Sequence, residues 1–187
     1  MNQKRPWING WRALAVAVLV GCAASGCGGD GPTEPQPATL SGLFGNQLYK
    51  ADGTLVGVGA LDDDDVIGIY FASSGCPACA GFTPVLVDAY NQLQEDGRSF
   101  EVVLVSTGIS DSSLLEYMVD SEMPWLAVPS QSGRANALVQ GYSIRWVPTL
   151  LIMDGGTLNT ISVTGREEVA QDGAAAYDAW LAAAGGS

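Results

Sequence analysis

Cys76-Pro77-Ala78-Cys79 is the group of residues in this sequence whose types and spacing point most directly to chemistry. The pair follows an apolar run of strand length, Val66 to Phe71. It opens a segment in which Phe82, Val85, Leu86, Ala89, Tyr90 and Leu93 recur at helical spacing before a stop near Gly97. A cysteine at a helix N-terminus meets free N–H groups and the positive end of the helix dipole, which can lower a thiol pKa from about 8.5 to roughly 3.5–7.5. The two-residue spacer brings the second sulfur round by nearly one turn, within reach of the first. Such a pair can close and reopen a disulfide. Cys76, at the exposed end, would attack a substrate disulfide, and Cys79, deeper in the helix, would resolve the mixed disulfide. Pro77 suits the first helical position, where its fixed φ fits and its missing N–H costs little.

Two plainer readings stand beside this one. A structural disulfide over so short a loop removes little chain entropy and is easily strained. Half of a four-cysteine zinc site would need two more ligands, and the other two cysteines, Cys22 and Cys27, lie in a leader that would not reach. The 187 residues include no histidine, which excludes Ser-His-Asp and Cys-His catalysis and any imidazole metal site. Asp62 to Asp65 is a run of four acids that reads as a solvated loop, without the ligand spacing or final Glu of an EF-hand. No metal is expected, and no cofactor beyond the Cys76–Cys79 disulfide itself.

The elements that must position the dithiol alternate in type. Leu43 to Tyr49 and Thr54 to Val58 suggest a hairpin around Asp52-Gly53. Phe100 to Val105 is a second buried-type strand. A helix capped by Ser110 or Asp111 runs through Leu114, Leu115, Tyr117 and Met118, and a short one runs from Ser132 to Gln140 and ends near Gly141. Thr149 to Met153 and Leu158 to Val163 are strands around the turn Asp154-Gly155-Gly156, and an Ala-rich helix from Arg166 to Ala184 closes the chain. This order predicts an α/β fold, a mixed central β-sheet flanked by helices.

With these elements in place, the stretch Tyr70-Phe71-Ala72-Ser73-Ser74-Gly75-Cys76-Pro77-Ala78-Cys79-Ala80-Gly81-Phe82-Thr83-Pro84 resembles the active-site segment of the tryparedoxin and nucleoredoxin branch of the thioredoxin superfamily. Phe100 to Ser106, Met123 to Pro129 and Trp146-Val147-Pro148-Thr149-Leu150 resemble later segments of that branch, in the right order, so the likeness spans about residues 43–165. It implies a thioredoxin-like fold, with Val147-Pro148 a cis peptide bond opposite Cys76. Gly75, Pro77, Val147 and Pro148 would border a substrate groove, and the Val147 backbone would be free to pair with an extended substrate strand. It also implies that Pro84 is the superfamily's helix-kinking proline. The alternative is a helix that starts after Pro84 and leaves the dithiol in a loop.

The sequence departs from the branch at three places: Gly75 stands where Trp is usual, Ala78 replaces a second Pro, and Ala80 replaces a basic residue. Tyr70 occupies the position where many thioredoxins carry a buried acid, as the branch itself tends to have. No proton acceptor for Cys79 is identified; water or a carboxylate such as Glu101 are the candidates. Trp125 reads as core or groove wall.

The N-terminus carries an export pattern. Lys4, Arg5 and Arg12 precede the apolar run Ala13 to Val20, too short to span a bilayer that needs ~20 residues. Leu19-Val20-Gly21-Cys22 resembles the bacterial lipobox, with Cys22 as the lipidated residue and Cys27 as the alternative. Residues 1–21 thus read as a lipoprotein signal peptide, 22–40 as a flexible Gly/Pro-rich tether and 41–187 as the thioredoxin-like domain. The formal net charge is −12, and three of the eight basic residues fall within the first 21. Residues 22–187 hold 5 basic residues against 20 acidic ones, a net −15, which disfavours nucleic acid and electrostatic docking on anionic lipid.

The expectation is a monomeric, lipid-anchored thiol-disulfide oxidoreductase of the bacterial cell envelope, facing the periplasm or exterior. It would reduce disulfides of exported proteins and be recharged by a thiol electron donor. A binding or redox-sensing module without turnover is the alternative.

Overall fold

A computed structural model describes residues 39–185. Cys22, Cys27, the expected signal segment 1–21 and most of the tether lie outside the described residues. Seven strands form one sheet in the order β2-β1-β5-β4-β3-β6-β7. At its centre, β3 (Val66–Phe71) and β4 (Phe100–Val105) run parallel, in register from Val66 opposite Phe100 to Phe71 opposite Val105. Both occupy the residues expected for them, because each is a six-residue run, apolar except for Glu101, with turn residues on its flanks.

On one side of this centre, β6 (Thr149–Asp154) pairs antiparallel with β3, and β7 (Thr160–Ser162) pairs with β6. On the other, β5 (Leu126–Ala127) lies parallel to β4, followed by the hairpin of β1 (Gln47–Tyr49) and β2 (Leu55–Gly57). The sheet is therefore mixed, as expected.

Period-two alternation divides the core into two layers. Ile67, Ile69 and Phe71 face α1 (Leu40–Phe44) and α4 (Arg134–Gly141). Val66 and Tyr70 face α2 (Pro77–Glu95), α3 (Asp111–Asp120), α5 (Gly165–Asp172) and α6 (Ala176–Ala184).

Several boundaries differ from expectation. The run from Leu43 is not strand throughout: Thr39 Oγ1 accepts the Gly42 N–H at 3.0 Å and caps α1, which holds Leu43 and Phe44. α2, by contrast, starts at Pro77 as expected and carries Pro84 in its interior, so the alternative that left the dithiol in a loop is removed. The short helix begins at Arg134, because Gly133 takes the left-handed φ of 72° after a 3-10 turn at Ser130–Ser132. β7 is confined to Thr160–Ser162, since Leu158 has a positive φ of 59° and belongs to the turn. The closing segment is two helices, divided at Gly173 (φ 58°, ψ −133°). β5 had no strand signal of its own, being only two residues long.

The sheet register carries the loop before β6 to the dithiol. Thr149 pairs with Phe71, so the chain entering β6 meets the chain leaving β3, five residues before Cys76.

Candidate active site

Cys76 is the N-cap of α2, with φ −99° and ψ 112°, and Pro77 holds the first helical position. Its Sγ accepts the Cys79 backbone N–H at 3.1 Å, the contact that an Asp or Ser cap would make, and so places a donor of the first helical turn on the attacking sulfur. The Cys76 backbone N–H donates to the Ser73 carbonyl at 3.1 Å, which closes the turn out of β3. Both cysteines are free thiols. Cys76 is partly exposed and Cys79 is fully buried, the order expected of an attacking and a resolving sulfur.

The Val147-Pro148 peptide is cis, and the Cys76 thiol donates to the Val147 carbonyl at 3.6 Å. Pro148 is buried and Val147 half-buried. Neither the Trp146 nor the Val147 N–H donates a hydrogen bond among the described residues. The backbone beside the sulfur therefore keeps a free donor for an extended partner. Gly75 and Pro77 are exposed on the opposite rim, and a Cβ added at Gly75 would meet nothing within 4 Å, so that wall is bare. All six residues expected at the site are thus brought together.

Beneath the dithiol lies a group of hydroxyls. The Thr83 hydroxyl donates to the Cys79 carbonyl at 2.9 Å, and with that hydrogen spent it accepts from the Tyr70 hydroxyl at 2.8 Å. Tyr117, from α3, buries its hydroxyl without a hydrogen-bond partner, and burial pushes its pKa up to about 12. Burial also raises Tyr70 well above the usual tyrosine range, so these groups stay neutral. Cys79 is pushed up to about 12, first by burial and then by the neighbouring Cys76 sulfur. The Cys79 sulfur is thus held as a thiol among neutral neighbours.

Glu101 does not serve this site. It pairs with Ile67, four residues before the end of β3, roughly 13 Å back along the strand at 3.3 Å per residue. There it accepts the Tyr90 hydroxyl at 3.2 Å and the Val102 N–H at 2.8 Å. Trp125 is core: it is 1% exposed and packs edge-on against Tyr70 and Tyr90.

Two members of the site went unnoticed in the sequence. Thr83 had a signal, since a hydroxyl residue four places after Cys79 in a helix back-bonds to that carbonyl. Tyr117 had none, because the packing of α3 against α2 brings it in.

Comparison with known proteins agrees with this geometry. Residues 63–157 match the family model described as thioredoxin-like. The nucleoredoxin of Danio rerio is 37% identical over 145 residues, covering 75% of this chain and 32% of the relative. The chain thus spans about a third of the length of the nucleoredoxin. The tryparedoxin of Trypanosoma brucei brucei is 34% identical over 126 residues, covering 67% of this chain and 85% of the relative.

Among solved structures, a thioredoxin from Wuchereria bancrofti superposes with a TM-score of 0.63 at 33% identity, covering 75% of this chain and 97% of the other. Tryparedoxin II from C. fasciculata superposes with a TM-score of 0.65 at 29% identity, covering 73% and 93%. The family match spans the β3–α2 junction and the loop before β6, and with these relatives the chain belongs to the thioredoxin-like family, in the branch that holds the nucleoredoxins and tryparedoxins.

Proposed function

We propose that this protein is a thiol-disulfide oxidoreductase that reduces protein disulfides with the Cys76–Cys79 dithiol. The observation that carries the reading is the placement of the two sulfurs: Cys76 caps α2 with its Sγ against the Val147 carbonyl, and Cys79 lies buried one turn below.

As a thiolate, Cys76 attacks one sulfur of a substrate disulfide. A Cys76–substrate S–S bond forms, the substrate bond breaks, and the departing sulfur takes up a proton. Cys79 then loses its proton and attacks Cys76 Sγ, and the second substrate sulfur leaves and is protonated. Two electrons have passed to the substrate, and the protein holds a Cys76–Cys79 disulfide, which a dithiol donor reduces for the next cycle. No cofactor is required. The direction, toward substrate reduction, follows the resemblance to tryparedoxins. The expected test is turnover of a model protein disulfide by the reduced wild type, lost in Cys76→Ser. Equal inactivity of both, with a disulfide that no dithiol donor reduces, would remove the reading.

We also propose that the domain works as a monomer anchored by lipid at Cys22, with Cys27 as the alternative, in a bacterial cell envelope, where exported proteins with disulfides are its partners. The support is the pattern of residues 1–27 and the acidity of the remainder, which makes a covalent anchor the effective route to a membrane. Labelled fatty acid should enter the wild type and not Cys22→Ala; incorporation into both points to Cys27, and into neither contradicts the anchor.

One observation favours the second reading, a binding or redox-sensing module. Cys79 is held as a thiol by burial with no carboxylate hydrogen-bonded to it among the described residues, which prolongs the life of a mixed disulfide.

A further inference from the structure

Trp146 is the most exposed of the five large apolar side chains that stand in solvent among the described residues, at 73%. The other four are Leu55, Val85, Val119 and Val163, none of them next to the cysteines or the cis-proline loop. Trp146 precedes Val147, whose carbonyl takes the Cys76 thiol at 3.6 Å. A tryptophan left this open contributes little to the fold, because the benefit of burying its ring has not been realised.

The backbone around it is nevertheless fixed. The Thr149 hydroxyl donates to the Trp146 carbonyl at 2.9 Å, and Pro148 is buried. The residue is therefore held in the chain next to Val147, whose carbonyl meets the reactive sulfur. Across the site, exposed Gly75 offers no side chain and Pro77 and Ala78 offer small ones. Apolar contact at this site is thus concentrated on the Val147 side of Cys76.

We infer that Trp146 sets substrate preference by covering an apolar side chain that flanks the reactive cysteine of an extended polypeptide. The inference rests on the oxidoreductase reading and names its substrate class. A segment paired with the free Val147 N–H passes residue 146, where an exposed indole can reach its side chains. The ring then gains the burial it lacks in the free protein, a gain that is available only if the passing side chain is apolar. A small disulfide attacked by Cys76 does not reach far enough to use it. Because Trp146 only positions the substrate, its removal leaves the sulfur chemistry unchanged.

The test uses the full-length chain and three disulfide substrates of neutral charge, so that the acidity of the protein acts on all alike. One is a small aliphatic disulfide. The other two are peptides with a single disulfide, identical except that the residues flanking the cysteine are leucine in one and serine in the other. Trp146→Ala should lower kcat/KM for the leucine peptide about tenfold, equivalent to about 1.4 kcal/mol. It should change the serine peptide and the small disulfide by less than about twofold, and Trp146→Phe should keep most of the preference.

An unchanged ratio between the two peptides in Trp146→Ala overturns the inference while leaving the oxidoreductase reading intact. An equal loss on all three substrates also overturns it, by showing that the ring supports the site rather than the substrate. Failure of the oxidoreductase reading is recognised separately, by the absence of Cys76-dependent turnover of the small disulfide in the wild type.

Discussion

Cys79 determines how the site would run. Its pKa is pushed up to about 12 by burial and by the Cys76 sulfur, so near neutrality only a minute fraction is thiolate. In a Cys76 mixed disulfide the contribution of the Cys76 thiol is gone while burial still raises the Cys79 pKa, so resolution of the preformed adduct should accelerate as pH rises from 7 to 9, by up to about tenfold per unit. Rapid-quench measurement of adduct decay checks this, and a plateau below pH 8 would show that Cys79 ionises far more easily than its burial indicates. At this scale the arrangement of the dithiol was legible in the sequence because it is local. The spacing of Cys76 and Cys79, the position of Pro77 and the Val147-Pro148 pair are all contained in two short segments. The surroundings of Cys79 were not: Tyr117 comes from a separate helix, and Glu101, a candidate acceptor by residue type, lies on the far part of β4.

Elements with one dominant signal appeared at the expected residues, and those with competing signals did not. β3 is an uninterrupted apolar run and β4 is one broken only at Glu101, and both are buried along nearly their whole length, so pattern and burial agree. α2 extends upstream of its apolar stripe because Cys76 and Pro77 supply a cap and a first turn whose residues are small or exposed. The segment from Arg166 to Ala184 has high helix propensity throughout, yet Gly173 breaks it by adopting a backbone conformation that is open almost only to glycine. Gly173→Ala should therefore destabilise the domain, by about 1–3 kcal/mol, despite alanine's better helix propensity. Urea unfolding checks this; a stabilised variant would mean that the break between α5 and α6 is not set by that residue.

At the scale of the molecule, acidity has an internal counterpart. Burial raises Glu101 to about 7 from the 4.5 usual for glutamate, with the Val102 N–H and Tyr90 hydroxyl opposing and the neighbouring Asp64 adding to the rise. Asp64 rises to about 6, through burial and then Asp63 and Asp65. For Glu101 the folded pKa lies above the unfolded one, so between pH 4.5 and 7 the folded state binds more protons and stability falls as pH rises. Below that window the penalty is absent, and above it the penalty is complete. Glu101→Gln should gain Tm relative to wild type at pH 8 and gain little at pH 4.5, as thermal unfolding at the two values would show; an equal change at both would place the ionisation of Glu101 outside this account. The overall architecture was readable because alternating strands and helices leave few arrangements, whereas this distal carboxylate pair depends on the approach of two loops to one strand end.

The division of labour between the two sulfurs is read out by mass spectrometry of a single turnover on a peptide disulfide. The wild type should end with an internal Cys76–Cys79 disulfide and a fully reduced peptide. Cys79→Ser should stop with one peptide bound to Cys76, and Cys76→Ser should form no adduct on the same timescale. A peptide captured by Cys79 in Cys76→Ser as fast as by Cys76 in Cys79→Ser would contradict the account.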